Sequence, residues 1–238
     1  MKGKHANIKY LTSLVKYASR DGRNVIEHSI GGGNVLLYPH LEKLFKTIRE
    51  TNGYVNVTIK ADDIDTLLNK KSLFNLFKEY VDGCGISVFN EDDARKLQNF
   101  QHELRKGRKY GDHHTHIVAH IIPEYIGLDM SLKIKNILKW VQNGDYDNYA
   151  PILYLGYKTL ERGESQEWHK FTDNELEKLF GEVPEKVSLA DVRFIKNFKT
   201  LFNEENFVLY KHWAYVDELL GSTSLLSEEL REIGGSYS

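Results

Sequence analysis

The chain has 238 residues, 41% hydrophobic and 28% charged, the profile of one globular domain, or one with a small appendage, whose core needs no staples. Its 32 basic and 34 acidic residues leave a formal net charge of −2, so the global electrostatic footprint of a nucleic-acid binder is missing. Cys84 is the only cysteine, which excludes an internal disulfide, a cysteine-rich zinc module and a three-cysteine iron–sulfur site within these residues. No run of about 18 apolar residues occurs, so no transmembrane helix is expected. The basic start Met1-Lys2-Gly3-Lys4-His5 lacks the apolar stretch of a secretory leader, and the expected setting is cytoplasmic.

In chain order, Tyr10 to Tyr17 carries apolar residues near helical spacing and stops at Asp21-Gly22. Asn24 to Ile30 is a short strand-like run ending in Gly31-Gly32-Gly33-Asn34. Leu41 to Ile48, introduced by Pro39, reads as a helix, and Tyr54 to Ile59 alternates polar and β-branched residues as a strand does. Ile64 to Asn69 and Leu73 to Tyr80 look helical, Gly85 to Phe89 is strand-like, and Asp92 to Leu104 is a charged helix. Thr115 to Ile122 reads as a strand, Ser131 to Gln142 as an amphipathic helix and Pro151 to Tyr157 as another strand. Beyond Gly163 the pattern changes to a mostly helical tail, with Asp173 to Phe180, Leu189 to Phe202 and Tyr215 to Leu220 as helices. The recurrence of strand then helix predicts a parallel α/β sheet or partial barrel over residues 1–163, with a C-terminal helical extension over 164–238. In such folds the chemistry sits at the C-terminal ends of the strands.

Four features invite a chemical reading. Gly31-Gly32-Gly33-Asn34 lies between a strand and a helix. Three successive glycines let backbone groups approach a ligand or take positive φ; a plain strand-to-helix turn is the alternative, and their entropic cost is high for a turn alone, which favours the ligand reading. Neither the GxGxxG spacing of a dinucleotide site nor the Gly-Lys-Ser/Thr of a P-loop is present. His113, His114, His116 and His120 are the densest titratable cluster, and strand spacing puts His114, His116 and His120 on one face with His113 opposite. Such a face binds metal where carboxylates such as Asp112 or Glu124 stand beside it; otherwise it is a polar loop feeding a strand. Cys84 reads as a small buried hydrophobe unless a base is placed next to it. The basic stretch Arg105-Lys106-Gly107-Arg108-Lys109 reads as a solvated loop, or as a contact for phosphate or an acidic partner. No GxSxG elbow, HExxH or EF-hand loop occurs.

Taken in order, several segments resemble radical S-adenosylmethionine (radical SAM) enzymes. IGGGNVLLYPHL (Ile30 to Leu41) resembles the GGE/GGN segment placed after their second strand. YVNVTIKADD (Tyr54 to Asp63) resembles their third strand, and GCGISVFNEDD (Gly83 to Asp93) their fourth, with Ser87 as its polar residue. HIVAHIIPE (His116 to Glu124) resembles the fifth strand and ILYLGYKTLERG (Ile152 to Gly163) the sixth. The likeness is greatest to radical SAM proteins of phage and bacterial type, and extends over roughly Gly3 to Ser224. It implies a partial (β/α) barrel that cradles S-adenosylmethionine. Gly31, Gly32 and Gly33 would offer backbone to the methionyl amine, with Asn34 beside them. Ser87 and His120 would meet polar parts of the ligand, and Leu155 and Gly156 would offer backbone to adenine.

The sequence departs from that family where its CxxxCxxC loop should be, and Asn34-Val35 replaces Asn-Pro. One cysteine cannot hold a 4Fe–4S cluster. The cluster is therefore expected only if a preceding segment or a partner chain supplies cysteines, and S-adenosylmethionine binding by this chain is expected to be weak or conditional. A truncated product, half of a split enzyme and a degenerate relative all fit this pattern. A non-catalytic interaction scaffold and a histidine-dependent metal hydrolase are the alternatives from other classes.

Overall fold

The computed structural model describes residues 5–19, 27–31, 34–107, 113–138, 150–155, 169–180 and 188–190. Its centre is a parallel sheet of six strands in sequence order. The strands are β1 (Glu27–Ile30), β2 (Tyr54–Lys60), β3 (Gly83–Ser87), β4 (His116–Ile121), β5 (Ile152–Tyr154) and β6 (Ser188–Ala190). The helices are α1 (Ile8–Ala18), α2 (Leu41–Glu50), α3 (Asp62–Asn69), α4 (Lys71–Tyr80), α5 (Glu91–Arg105), α6 (Pro123–Ile126), α7 (Leu128–Leu138) and α8 (Asp173–Phe180). The expected alternation of strand and helix is thus the architecture, and the sheet is open rather than closed. None of the described helices is long and apolar enough to cross a membrane.

The periodicities explain the layers. In α2, Leu41, Leu44, Phe45 and Ile48 fall at helical spacing and all are buried. In β2 the alternation is strict: Val55, Val57 and Ile59 are buried, and Tyr54, Thr58 and Lys60 are exposed. The same side of the neighbouring strands carries Cys84, Ile86, Ile117, Ala119, Ile121, Ile152 and Tyr154, all buried in one core with α2, α3, α5 and α7. The other side carries Asn56, Thr58, Lys60, Gly83, Gly85, Ser87, His116, Val118 and His120. Parallel sheets are normally covered on both faces, unless they curve so that one face lines a barrel interior.

Several boundaries differ from the sequence expectation. β3 spans Gly83–Ser87, not Gly85 to Phe89. Phe89 and Asn90 instead belong to the start of α5. Asn90 accepts from the Asp93 N–H at 2.9 Å, and the Asp93 carboxylate accepts from the Phe89 N–H at 2.9 Å, a reciprocal cap. α1 begins two residues before the predicted start, where the Asn7 side chain accepts from the Lys9 N–H at 2.9 Å. The run expected as a helix from Leu189 starts in a strand: β6 lies parallel to β5, with Leu153 opposite Leu189. The free edge of β5 offers backbone partners that a local propensity argument does not see. β6 comes from beyond the division drawn at residue 163, so the extension contributes a strand to the sheet. Residues 191–202 and Tyr215 to Leu220, also expected as helices, lie outside the described residues.

Candidate functional site

The loops leaving β1 to β5 meet at one end of the polar face. After β1, Gly31 is exposed, and a Cβ added to it would touch nothing within 4 Å. Its φ is not positive, so the fold itself does not demand glycine there; the absence of a side chain leaves open space. Asn34 has a structural job: its carbonyl oxygen accepts from the Leu36 N–H at 3.0 Å, and its amide donates to Asp63 Oδ1 at 2.7 Å. The Asp63 carboxylate also accepts from the Lys60 N–H at 3.0 Å. The turn after β1 is thereby tied to the end of β2. Gly32, Gly33 and Gly156, expected to line the site, lie outside the described residues.

Ser87 ends β3 and is half-buried. His120 stands opposite it in register on β4. The imidazole folds back over Gly85, where a Cβ would overlap the ring atoms, so a side chain at this strand position would have to displace the ring. Burial pushes the His120 pKa down to about 4, which keeps the ring uncharged. On β5 the Leu155 N–H already donates to the Ile121 carbonyl at 2.8 Å, so only its carbonyl is left for a ligand. Phe89 and Tyr125, in the segments following β3 and β4, stack edge-on at 5.7 Å and give the rim an aromatic wall.

The structure therefore brings Ser87 and His120 together and sets Gly31, Asn34 and Leu155 on neighbouring strand ends. Sequence reasoning placed Lys60 at the end of its strand but did not set it beside Ser87, as the register does, and it missed Gly85, which seats His120. The glycines of GCGIS were the available signal, but their partner became visible only once β4 was aligned with β3.

The other candidates fall elsewhere. His113 is at the opposite end of the sheet: its Nε2 lies 2.9 Å from Asp82 Oδ1 and 2.8 Å from Arg49, so it does not share a face with His120. His114 precedes β4, and only His116 and His120 lie on the polar face. Glu124 is buried in α6, and Asp112 lies outside the described residues. Among the described residues no group of three or more His, Cys, Asp or Glu side chains is placed to hold a metal ion. Cys84 is buried on the helix side of the sheet, and burial pushes its thiol well above the ordinary range, so it is not a nucleophile. A single thiol on the far side of the sheet from these loops does not fit a 4Fe–4S cluster. The basic stretch begins where α5 ends, away from the site, with Arg108 and Lys109 outside the described residues.

No family model matches the chain. A segment of 54 residues is 43% identical to neutral endopeptidases of Lactococcus lactis subsp. cremoris and subsp. lactis. That match spans 23% of this chain and 9% of the endopeptidases. No HExxH motif occurs: His116 and His120 have its histidine spacing, but Ile117 stands where its glutamate would be and the pair lies on β4, not on a helix. In structure, the chain is similar to SuiB of Streptococcus suis, with a TM-score of 0.59 and 13% identity, over 85% of this chain and 47% of SuiB. SuiB bound to S-adenosylmethionine gives a TM-score of 0.55 at 13% identity, and SuiB bound to precursor peptide SuiA gives 0.58 at 14%. Each of these covers 85% of this chain and 46% of the other, so the chain spans less than half the length of SuiB. At that identity the likeness is one of fold: this chain has the open, parallel α/β architecture expected from its resemblance to radical SAM enzymes, and shares it with a protein that binds S-adenosylmethionine.

Proposed function

We propose that this chain is the S-adenosylmethionine-binding part of a radical SAM-type barrel, whose cluster cysteines come from a segment outside these residues or from a partner chain. One observation carries the reading: polar groups without protein partners collect at the C-terminal strand ends of a sheet shared with an S-adenosylmethionine-binding protein. The ligand would lie across those ends. The amide-rich glycine run from Gly31 to Gly33 and Asn34 would meet the amino-acid moiety. Ser87 and His120 would supply hydrogen bonds at the centre, and the carbonyl of Leu155 with Gly156 would face adenine. This chain's residues bind and orient; the radical chemistry needs a cluster that Cys84 cannot build. β1 pairs only with β2 among the described residues, which leaves a strand edge for a completing partner.

Gly31→Val tests the site. The new side chain meets open space, so the fold is expected to keep its melting temperature while S-adenosylmethionine affinity falls on the order of tenfold or more by calorimetry. Unchanged affinity would reject this placement of the ligand. Anaerobic reconstitution of the chain alone is expected to leave it without a cubane absorption band; a stoichiometric iron and sulfide count would overturn the need for outside cysteines.

A further inference from the structure

The stretch that leads from α5 into β4 is fastened to α4 at both of its described ends, each time by Lys78. The Lys78 ammonium donates to the Lys106 carbonyl at 3.4 Å, and the Lys78 carbonyl lies 3.2 Å from His113 Nδ1. His113 extends the attachment with its other ring nitrogen. Its Nε2 is 2.9 Å from Oδ1 of Asp82, in the turn before β3, and 2.8 Å from Nη2 of Arg49 on α2. Those two partners are fixed in their turn. Arg49 Nη2 donates to Asp82 Oδ1 at 2.7 Å and to the Tyr80 carbonyl at 3.2 Å, and the second Asp82 oxygen accepts from the Val55 N–H at 2.7 Å. The side chains of His113, Arg49 and Asp82 are 33%, 30% and 16% exposed, so the cluster is held rather than freely solvated.

The oxygens decide what this ring has to carry. A backbone carbonyl and an ionised carboxylate both accept and neither donates, so each ring nitrogen faces an acceptor. A neutral imidazole has one N–H. With that proton on Nδ1 the ring bonds Lys78 and turns a lone pair on Asp82; with it on Nε2 the ring bonds Asp82 and turns a lone pair on Lys78. Only the imidazolium donates to both. The two charges in contact with the ring oppose each other: Asp82 at 2.9 Å favours the second proton and Arg49 at 2.8 Å resists it. α4 meets the ring with a carbonyl, since its Lys78 ammonium is turned to Lys106 and lies over the Phe74 ring. From β4 comes the His116 N–H, which donates to the Asp82 backbone carbonyl at 2.7 Å. Acceptor geometry is what separates the two states. We infer that His113 is a proton-operated clasp. Protonated, it ties the entry of β4 to α4 and to the turn before β3. Deprotonated, it loses one of those bonds, its bare nitrogen competes with Asp82 for the same Arg49 N–H, and the entry of β4 is loosened. Histidine is the side chain that ordinarily exchanges a proton between pH 5 and 8, which sets the range in which the clasp works.

The test uses the full chain, labelled with ¹⁵N, followed by nuclear magnetic resonance across roughly pH 5 to 8. At the acid end both ring N–H protons of His113 are expected in the spectrum, because each is bonded; the absence of either would overturn the two-acceptor geometry. The His116 amide reports on the entry of β4, its hydrogen exchange being taken relative to the rate of an unstructured chain at each pH. As His113 loses its proton, that protection is expected to fall about tenfold, with the same midpoint as the His113 ring resonances. His113→Gln keeps a polar side chain of similar reach and does not titrate, so its protection is expected to stay level over the same range. A His113 ring that titrates while the His116 protection stays constant would overturn the clasp. So would an equal fall in His113→Gln, which would assign the response to another group, such as the ring of His114 or of His116 itself.

Discussion

The two ends of the sheet treat their polar groups in opposite ways. At the N-terminal end, Asp82 is fully employed. Its carboxylate accepts from the Val55 N–H at 2.7 Å and from Arg49 at 2.7 Å, and lies 2.9 Å from His113 Nε2. Its backbone oxygen accepts from the His116 N–H at 2.7 Å, so one residue ties β2, β4 and α2 to the start of β3. At the C-terminal end, Lys60, Ser87 and His120 have no such partners among the described residues. A satisfied network holds strands together, whereas side chains without protein partners add no such tie. The contrast separates an end whose polar groups tie the strands together from an end whose polar groups are left open.

The sharpest way to break this comparison is at Asp82. Asp82→Ala leaves the Val55 N–H and the Arg49 guanidinium without their acceptor, and is expected to cost about 4 kcal/mol in urea unfolding. A loss no larger than that of an ordinary surface change would show that the lower network does not hold the fold. The next largest effect is a pH dependence at the upper end. His120 titrates at about 4 in the folded chain, below its ordinary value of 6.5. As the pH falls below 6.5 the unfolded chain takes up a proton that the folded chain refuses until about 4. Stability is therefore expected to fall through that window by about 3 kcal/mol and to level off beneath it. Burial also lowers the His28 pKa, which acts in the same direction. The informative quantity is thus the difference between the unmodified chain and His120→Gln, which should lose the His120 contribution and keep that of His28. Identical pH profiles would place His120 in solvent rather than over Gly85.

The smallest of these effects sharpens the same contact. Gly85→Ala drives a methyl group into the imidazole and is expected to cost about 2 kcal/mol. Adding His120→Ala should recover most of that loss, since the two residues compete for one volume. A double variant no more stable than Gly85→Ala alone would mean that the glycine serves the backbone and not the histidine.

Much of the architecture was legible because it is local. The spacing of Leu41, Leu44, Phe45 and Ile48 specifies a helix with one apolar stripe, and YVNVTIK specifies a strand with one buried and one open face. That alternation also announces which side of the sheet meets water. Gly31 was read correctly as following a strand end, because the end of a strand-like run marks where the chain turns. The limits of β3 were not legible, since Val88 and Phe89 continue its apolar run; the helix cap formed by Asn90 and Asp93 claims that stretch instead. β6 was read as helix because its partner, β5, comes from another part of the chain.

The sequence by itself determined the strand–helix rhythm, the apolar and polar faces, and the lack of enough thiols for a cluster, all of which depend on residue type and short-range order. Only the tertiary structure decided register. Lys60, Ser87 and His120 come from three strands separated by crossover helices, and nothing local says which residue of one strand lies opposite which residue of the next. Packing of the buried face against the helices fixes that alignment, and with it the seat of His120 on Gly85.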